Sequence, residues 1–364
     1  MIILAIETSC DDTCIAILEI KNQKSKVKSF EILSNVVSSQ VKLHAKYGGV
    51  YPMLAKREHQ KNLPVVFKKA LKGAKLLSGK IDLISVTVGP GLEPCLWVGI
   101  NFAEELAKKL KVPIIPVNHI EAHIVANFIG ENSTPPIFKQ GAGRNSKLFP
   151  AVCLIVSGGH TQLILMTNIG KYRILGETRD DAAGECFDKV ARILGLPYPG
   201  GPAIERQAAT LNLKPLTLNL RLPRPMIYQK NYDFSFSGLK TAVLYDFKNR
   251  SPEIRKSKNY IREMAKEIQQ AVIDVLIQKT LKATKEYKAK SIILGGGVTA
   301  NNELRKQFQL TISNQQLAIN FLVPPKIYCT DNAAMVALTG YFHRPQKEQY
   351  NLEKIKANAN LRLE

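Results

Sequence analysis

The chain has 364 residues, 45% of them hydrophobic and 22% charged, which excludes a disordered or fibrous protein and suggests about two domains with ample core. Lys and Arg number 51 against 30 acids, a net charge of +21. That excess favours a polyanionic partner, nucleic acid or membrane surface, unless it merely reflects a Lys-rich proteome.

The start, Met1-Ile2-Ile3-Leu4-Ala5-Ile6-Glu7, has neither the basic stretch nor the long apolar core of a secretory leader, and no apolar run approaches the ~18 residues of a membrane span. Six cysteines (Cys10, Cys14, Cys95, Cys153, Cys186 and Cys329) form no CxxC pair and suit a reducing cytoplasm.

Residues 2–18 alternate as strand, polar turn, strand, with Asp11 and Asp12 in the turn. Those acids suit ordinary turn chemistry, and equally a carboxylate that holds a metal-bound water or accepts a proton. Residues 42–80 carry ten Lys/Arg and a single acid, Glu58, and the periodicity predicts a helix over 55–72. A strand over 83–88, the turn Gly89-Pro90-Gly91 and a helix over 98–110 follow. In His119-Ile120-Glu121-Ala122-His123 the imidazoles share one helix face, close enough to ligate one cation, while Glu121 points elsewhere. The order is not HExxH, so a zincin protease fails on geometry. A capped or surface pair fits the spacing as well, and a third ligand is missing; Asp331, at a strand end opening a helix, is a good place for an exposed carboxylate. Clustered Gly, Pro and Asn over 130–150 predict a linker.

Residues 151–166 repeat the strand–turn–strand pattern, with Ser157-Gly158-Gly159-His160 in the turn. Asp180 and Asp181 suit the N-cap of a helix running to Leu194, which leaves Asp188 for packing or ligand contact. A tight turn at 198–202, an irregular stretch over 215–233, a long helix over 260–287, a strand over 291–294, the turn Gly295-Gly296-Gly297, a helix from about Asn302 and a polar tail over 345–364 complete the order. Residues 248–290 hold twelve Lys/Arg against five acids. The same parts occur twice, which suggests an internal duplication. Strand-ending Gly turns aim backbone N–H groups outward; the turns at 89–91, 157–160 and 295–297 together favour a nucleotide. None is a Walker A loop or a GxGxxG fingerprint, and no serine or cysteine triad has a local signature.

Ten stretches, in order, resemble the tRNA threonylcarbamoyladenosine-forming transferases. They are Glu7-Thr8-Ser9-Cys10-Asp11-Asp12-Thr13, residues 44–50, 89–92, 119–123, 156–163, 181–185, 198–202, 234–240, 296–301 and 329–332. The resemblance implies an α/β fold of duplicated ribonuclease-H-like domains of the actin/Hsp70/sugar-kinase superfamily with a central cleft: one lobe over 1–148, with 326–364 returning to it, and a second over 149–325. It implies transfer of a threonylcarbamoyl group from L-threonylcarbamoyl adenylate to the exocyclic amine of the adenosine 3′ of the anticodon in tRNAs reading ANN codons. His119, His123 and Asp331 would carry a divalent metal, Fe(2+) in preference to Zn(2+). Ile155, Val156, Ser157, Gly158, Gly159, Asp188, Gly201, Glu205 and Asn301 would hold the adenylate. Asp11 is the candidate proton acceptor. Expected partners are tRNA and accessory subunits, a paralogous non-catalytic subunit and a small ATPase, with no membrane. The chain departs from the family pattern at Pro94, Cys95, Cys186 and Ala333, none of them a ligand, and carries Glu205 where many bacterial members have Asp. A kinase or ATPase of the same superfamily, or a non-catalytic tRNA-modification subunit, would keep the fold.

Overall fold

The computed structural model describes residues 1–22, 28–129, 147–209, 218–344 and 355–363. The chain divides into two compact units, Met1–Ser146 with Asn168–Lys171 and Pro324–Glu364, and Lys147–Thr167 with Tyr172–Val323.

In the first unit β1 (Ile2–Glu7), β2 (Asp12–Asn22) and β3 (Lys28–Ser39) form an antiparallel meander. A short α1 (Val41–His44) and α2 (Pro52–Gly73) lead to β4 (Leu83–Gly89), which pairs parallel with β1. Then come α3 (Glu93–Leu110), β5 (Ile114–Asn118), parallel to β4, and α4 (His119–Val125). The sheet order is β3-β2-β1-β4-β5. Leu4 and Ile6 of β1 join Leu63 and Val66 of α2 and Leu96 and Ile100 of α3 in one apolar core. Strand alternation turns the next residue, Glu7, to the opposite face.

In the second unit β6 (Ala151–Val156) pairs antiparallel with β7 (Thr161–Asn168), which neighbours β8 (Lys171–Glu177). Helices α5 (Ala183–Ile193), α6 (Gly200–Ala209), α7 (Ser237–Asn249), α8 (Pro252–Arg255) and α9 (Lys258–Glu286) precede β9 (Ser291–Gly295), parallel to β6. Helix α10 (Asn302–Asn314) and β10 (Asn320–Leu322) complete the sheet order β10-β9-β6-β7-β8, the first unit's order again. The chain then returns to the first unit through α11 (Ala333–His343), which packs on β1, β2 and α4.

Most predicted elements form within a few residues of the expected bounds. Pro94 lies in the first turn of α3, where a missing N–H costs no hydrogen bond. The predicted linker core falls on 130–146, outside the described residues.

Three expectations need correction. Asp180 and Asp181 do not cap α5: its N-cap is Ala182, and Thr161 Oγ1 accepts from Ala183 N at 2.9 Å. Asp180 instead serves the entry of α7, accepting from Phe236 N at 2.7 Å, Ser237 N at 3.2 Å and Ser235 Oγ at 2.5 Å, while Asp181 pairs with Lys189 at 2.6 Å. The second correction concerns the tail. Residues 345–354 lie outside the described residues, but Ile355, Ala357 and Leu361 pack against the first unit's core, despite a pattern with no evident apolar face. Third, Gly89-Pro90-Gly91 is closed to a phosphate: Gly91 N donates to Ala359 O at 3.2 Å and Leu92 N to Ser9 O at 2.7 Å.

Candidate functional site

Helix α4 starts where β5 ends. Asn118 supplies the cap, its Oδ1 accepting from Ile120 N at 2.8 Å and Glu121 N at 3.3 Å. All seven residues of α4 are buried, and the His119 and His123 rings stand edge to face with centroids 4.6 Å apart. Asp331 arrives on the loop before α11, whose first turn is capped by Asn332 Oδ1 accepting from Met335 N at 3.1 Å. Its Oδ1 lies 3.6 Å from His119 Nε2 and 3.2 Å from His123 Nε2.

These three side chains fit a cation. Ligands held at about 2.1 Å from one ion sit roughly 3.0–3.5 Å apart, and the donor atoms of His119, His123 and Asp331 all lie within 4.8 Å of one another. Among the described residues no polar group meets Nδ1 of buried His123, and its Nε2 faces the Asp331 carboxylate. Burial holds its pKa below the ordinary histidine value, so the ring is neutral and its lone pair is available. Glu121 turns away, with His343 Nε2 2.8 Å from its Oε1.

Glu7 is the residue that sequence reasoning missed. Fully buried at the end of β1, it places Oε2 2.9 Å from His119 Nδ1 and accepts there from Thr87 Oγ1 at 2.7 Å; its Oε1 accepts from Ser9 N at 2.6 Å. Burial opposes its charge, but His119 and the Ser9 hydrogen bond win and hold its pKa below the usual range. Burial would likewise lower His119, yet Glu7 and Asp331 raise it to about 9. A carboxylate on Nδ1 fixes that nitrogen as the donor; Nε2, which faces Asp331, also carries a proton in the ion-free protein, and an ion would have to displace it. The only local signal for this role is an acid closing an apolar strand.

Asp11 and Asp12, in the hairpin turn, each have one buried oxygen, Oδ2 and Oδ1, without a partner among the described residues. Burial, then Asp331, pushes both pKa values up, that of Asp12 to about 7. Two raised carboxyls therefore stand where the sequence reading singled out Asp11.

In the second unit, Ser157 Oγ accepts from Gly159 N at 3.3 Å and His160 N at 3.0 Å, and Ser157 O accepts from Gly184 N at 3.2 Å. A Cβ at Gly158 or Gly159 would meet open space, whereas one at Gly296 (φ 91°) would strike the Val156 carbonyl, which ties the 295–297 turn to the end of β6 carrying Ile155 and Val156. Asp188 Oδ1 accepts from Gly200 N at 2.6 Å, so it anchors the turn carrying Gly201. Glu205 Oε1 accepts from Asn302 N and Nδ2, both at 2.7 Å. Asn301 caps α10 through Leu304 N at 2.9 Å and donates to Gln269 Oε1 at 2.8 Å. Of the nine residues, Ile155 and Val156 close β6, Ser157, Gly158 and Gly159 form the turn after it, Asp188 lies in α5, Gly201 and Glu205 lie in α6, and Asn301 caps α10.

Residues 31–338 match the family model of tRNA N6-adenosine threonylcarbamoyltransferase (TsaD). Curated proteins of that name are similar over nearly the whole length: the one from Thermosipho melanesiensis is 49% identical, with 94% of each chain covered, and the one from Bacillus subtilis 42% identical, covering 93% of this chain and 90% of that protein. Among solved structures, full-length HypF in its phosphate- and nucleotide-bound form matches 93% of this chain and 45% of its own with a TM-score of 0.53 at 12% identity, a likeness of fold alone.

Proposed function

The chain belongs to the tRNA N6-adenosine threonylcarbamoyltransferase family, and on that premise we propose that it takes L-threonylcarbamoyl adenylate and transfers its threonylcarbamoyl group to N6 of the adenosine 3′ of the anticodon in tRNAs reading ANN codons. The adenylate is a mixed anhydride, already activated. The N6 nitrogen attacks the carbamoyl carbon, a C–N bond forms, the C–O bond to phosphate breaks, AMP leaves with the bonding electrons, and the amine gives up a proton. No enzyme nucleophile is required, so the remaining work is positioning, charge stabilisation and proton removal.

His119, His123 and Asp331 would hold one divalent cation, iron(II) in preference to zinc, for which two imidazoles and a carboxylate are a suitable donor set. Bound there, the ion supplies Lewis-acid polarisation of the carbamoyl oxygen. Residues Ile155 to Gly159 with Asp188, Gly201, Glu205 and Asn301 hold the adenylate, the open Ser157–Gly159 turn suiting its phosphate. Asp11 takes the amine proton, directly or through water; the raised pKa of a buried carboxyl makes it a better base near neutral pH.

The basic 42–80 segment meets the tRNA backbone, and exposed Tyr47 and Tyr51, with ring centroids 6.1 Å apart, offer stacking faces beside Lys46. Accessory subunits, a paralogous non-catalytic subunit and a small ATPase, complete the working complex. No helix among the described residues is long and apolar enough to cross a membrane. The six free cysteines suit the cytoplasm, where we place the enzyme.

One observation carries this reading: two histidines and an aspartate distant in sequence converge in a chain of this family. A kinase or ATPase of the same fold has no use for that trio, and a non-catalytic subunit has no need to keep it. Reconstitution with threonine, bicarbonate, ATP, the adenylate synthase, the accessory subunits and unmodified tRNA tests it by mass spectrometry of the nucleosides. The modified adenosine is expected with the wild type and not with His123→Ala. Unmodified adenosine from the wild type, with an adenylate supply shown to be active, would overturn the assignment.

A further inference from the structure

The described end of the chain, residues 355–363, reaches the metal helix by two routes. Asn358 N donates to Val88 O at 2.8 Å, at the end of β4. The next residue, Gly89, has φ 154°, and a Cβ there would collide with the Asn358 carbonyl oxygen, so this crossing requires glycine. Gly91 N donates to Ala359 O, and from that turn Leu92 N donates to Ser9 O. Ser9 Oγ lies 3.3 Å from His119 Nδ1 and Ser9 N donates to Glu7 Oε1, so the first route ends on the pair that orients His119. The second route is shorter. Asn118 caps α4 with Oδ1, and the other end of the same amide, Nδ2, donates to Arg362 O at 3.4 Å. The segment is itself ordered by Asn360 N donating to Asn358 Oδ1 at 3.0 Å and by the packing of Leu361 on the core.

We infer that residues 355–363 are a strap that positions His119 for its ion, through the Asn118 cap on one side and the Ser9 turn on the other. The inference rests on the metal reading of His119, His123 and Asp331. Removing the strap leaves every ligand in place but loosens the start of α4; a direct hydrogen-bond partner of a ligand is worth about 10–100-fold in metal affinity, the upper bound for a support that acts through such partners. None of the strap's residues is a ligand, and its contacts are mostly backbone, so its sequence can vary while its path cannot.

The experiment compares three proteins: the full chain, a chain ending at residue 354, and full-length Leu361→Asp, which keeps the segment but sets a charge against the core. Each is titrated with Co(II) followed by its absorption, and α4 is followed by amide hydrogen exchange without metal. The strap predicts measurably weaker Co(II) affinity in both variants, by up to about tenfold, the low end for a direct partner of a ligand, faster exchange at Ile120 and Glu121, unchanged exchange in β6 and α9, and recovery when a peptide of residues 355–364 is added to the shortened chain. Equal Co(II) affinity in all three proteins, or weaker affinity that the peptide does not restore together with uniformly faster exchange, overturns it. A wild type that binds no Co(II) sinks the metal reading instead; the strap then stands or falls on the exchange at Ile120 and Glu121.

Discussion

His119 and Glu7, separated by 112 positions, meet with Nδ1 2.9 Å from Oε2 inside the first unit. The contact fixes which nitrogen of His119 can face Asp331. Glu7→Gln keeps the side-chain length but removes the charge and lets an amide N–H face the ring, so both tautomers become accessible. Metal affinity is expected to fall about 10–100-fold with the fold intact, as measured by competition with a chromophoric chelator. Unchanged affinity would mean that Glu7 only fills space.

Asp331→Asn separates function from stability. In metal-free protein Asp331 repels the Asp11 and Asp12 carboxyls but attracts the His119 imidazolium, so the two effects on stability oppose each other. The variant is expected to gain no thermal stability on adding metal, where wild type does, and to form product more slowly by about 3 kcal/mol of barrier, or roughly 100-fold. Thermal unfolding with and without metal, alongside single-turnover product formation, tests the pair of effects.

Lys279 is fully buried on α9, with Nζ donating to Asn231 O at 3.0 Å and standing 6.0 Å from the centre of the Phe234 ring. Burial, helped by nearby Lys282, lowers its pKa to about 8. The unfolded value is about 10.4, so between these limits the unfolded chain binds the extra proton and stability rises with pH. Urea unfolding at about pH 7.5 and pH 9.5 is expected to show that rise, and Lys279→Met to flatten it. An equal slope in both proteins would contradict the assignment.

Asp180 accepts three hydrogen bonds at the entry of α7. Desolvation is the largest single influence and raises its pKa, but the hydrogen bonds from Ser235, Phe236 and Ser237 together outweigh it and hold the pKa below the ordinary value. Its contribution is present above the unfolded pKa and is lost as pH falls through the folded one. Asp180→Ala is expected to cost about 0.5–2 kcal/mol at neutral pH, as for loss of a helix-entry cap, and progressively less in acid, by denaturant unfolding.

Tyr47 and Lys46 test the RNA surface differently. Tyr47→Ala is expected to weaken tRNA binding by about 1–3 kcal/mol with the salt dependence unchanged. Lys46→Ala is expected to reduce the slope of log affinity against log salt by about one. Filter binding across a salt series separates the two.

Local pattern made much of this protein legible. Short apolar runs broken by a polar turn marked the hairpins at 2–18 and 151–166, because a strand covered on both faces is apolar at nearly every position. The 3.6-residue period marked α2 and α9, and the i,i+4 spacing put His119 and His123 on one face. Local pattern leaves Asp188 open between packing and ligand contact; its bond to Gly200 N crosses to a turn that no local rule assigns. Asp180 was misread for a similar reason: an Asp before a helix is a sound cap signal, but Phe236 and Ser237 offered their N–H groups from far along the chain.

By itself the sequence determined the elements, their doubled order and the residue types able to hold a cation and a phosphate, since those follow from periodicity and side-chain chemistry within a few residues. Only the tertiary structure decided that Glu7 orients His119, that the chain's own end fills the Gly89–Gly91 turn, and that Asp12 rivals Asp11 as a raised carboxyl. Each depends on burial and on contacts between segments distant in the chain, and desolvation acts on a group only once the fold has surrounded it.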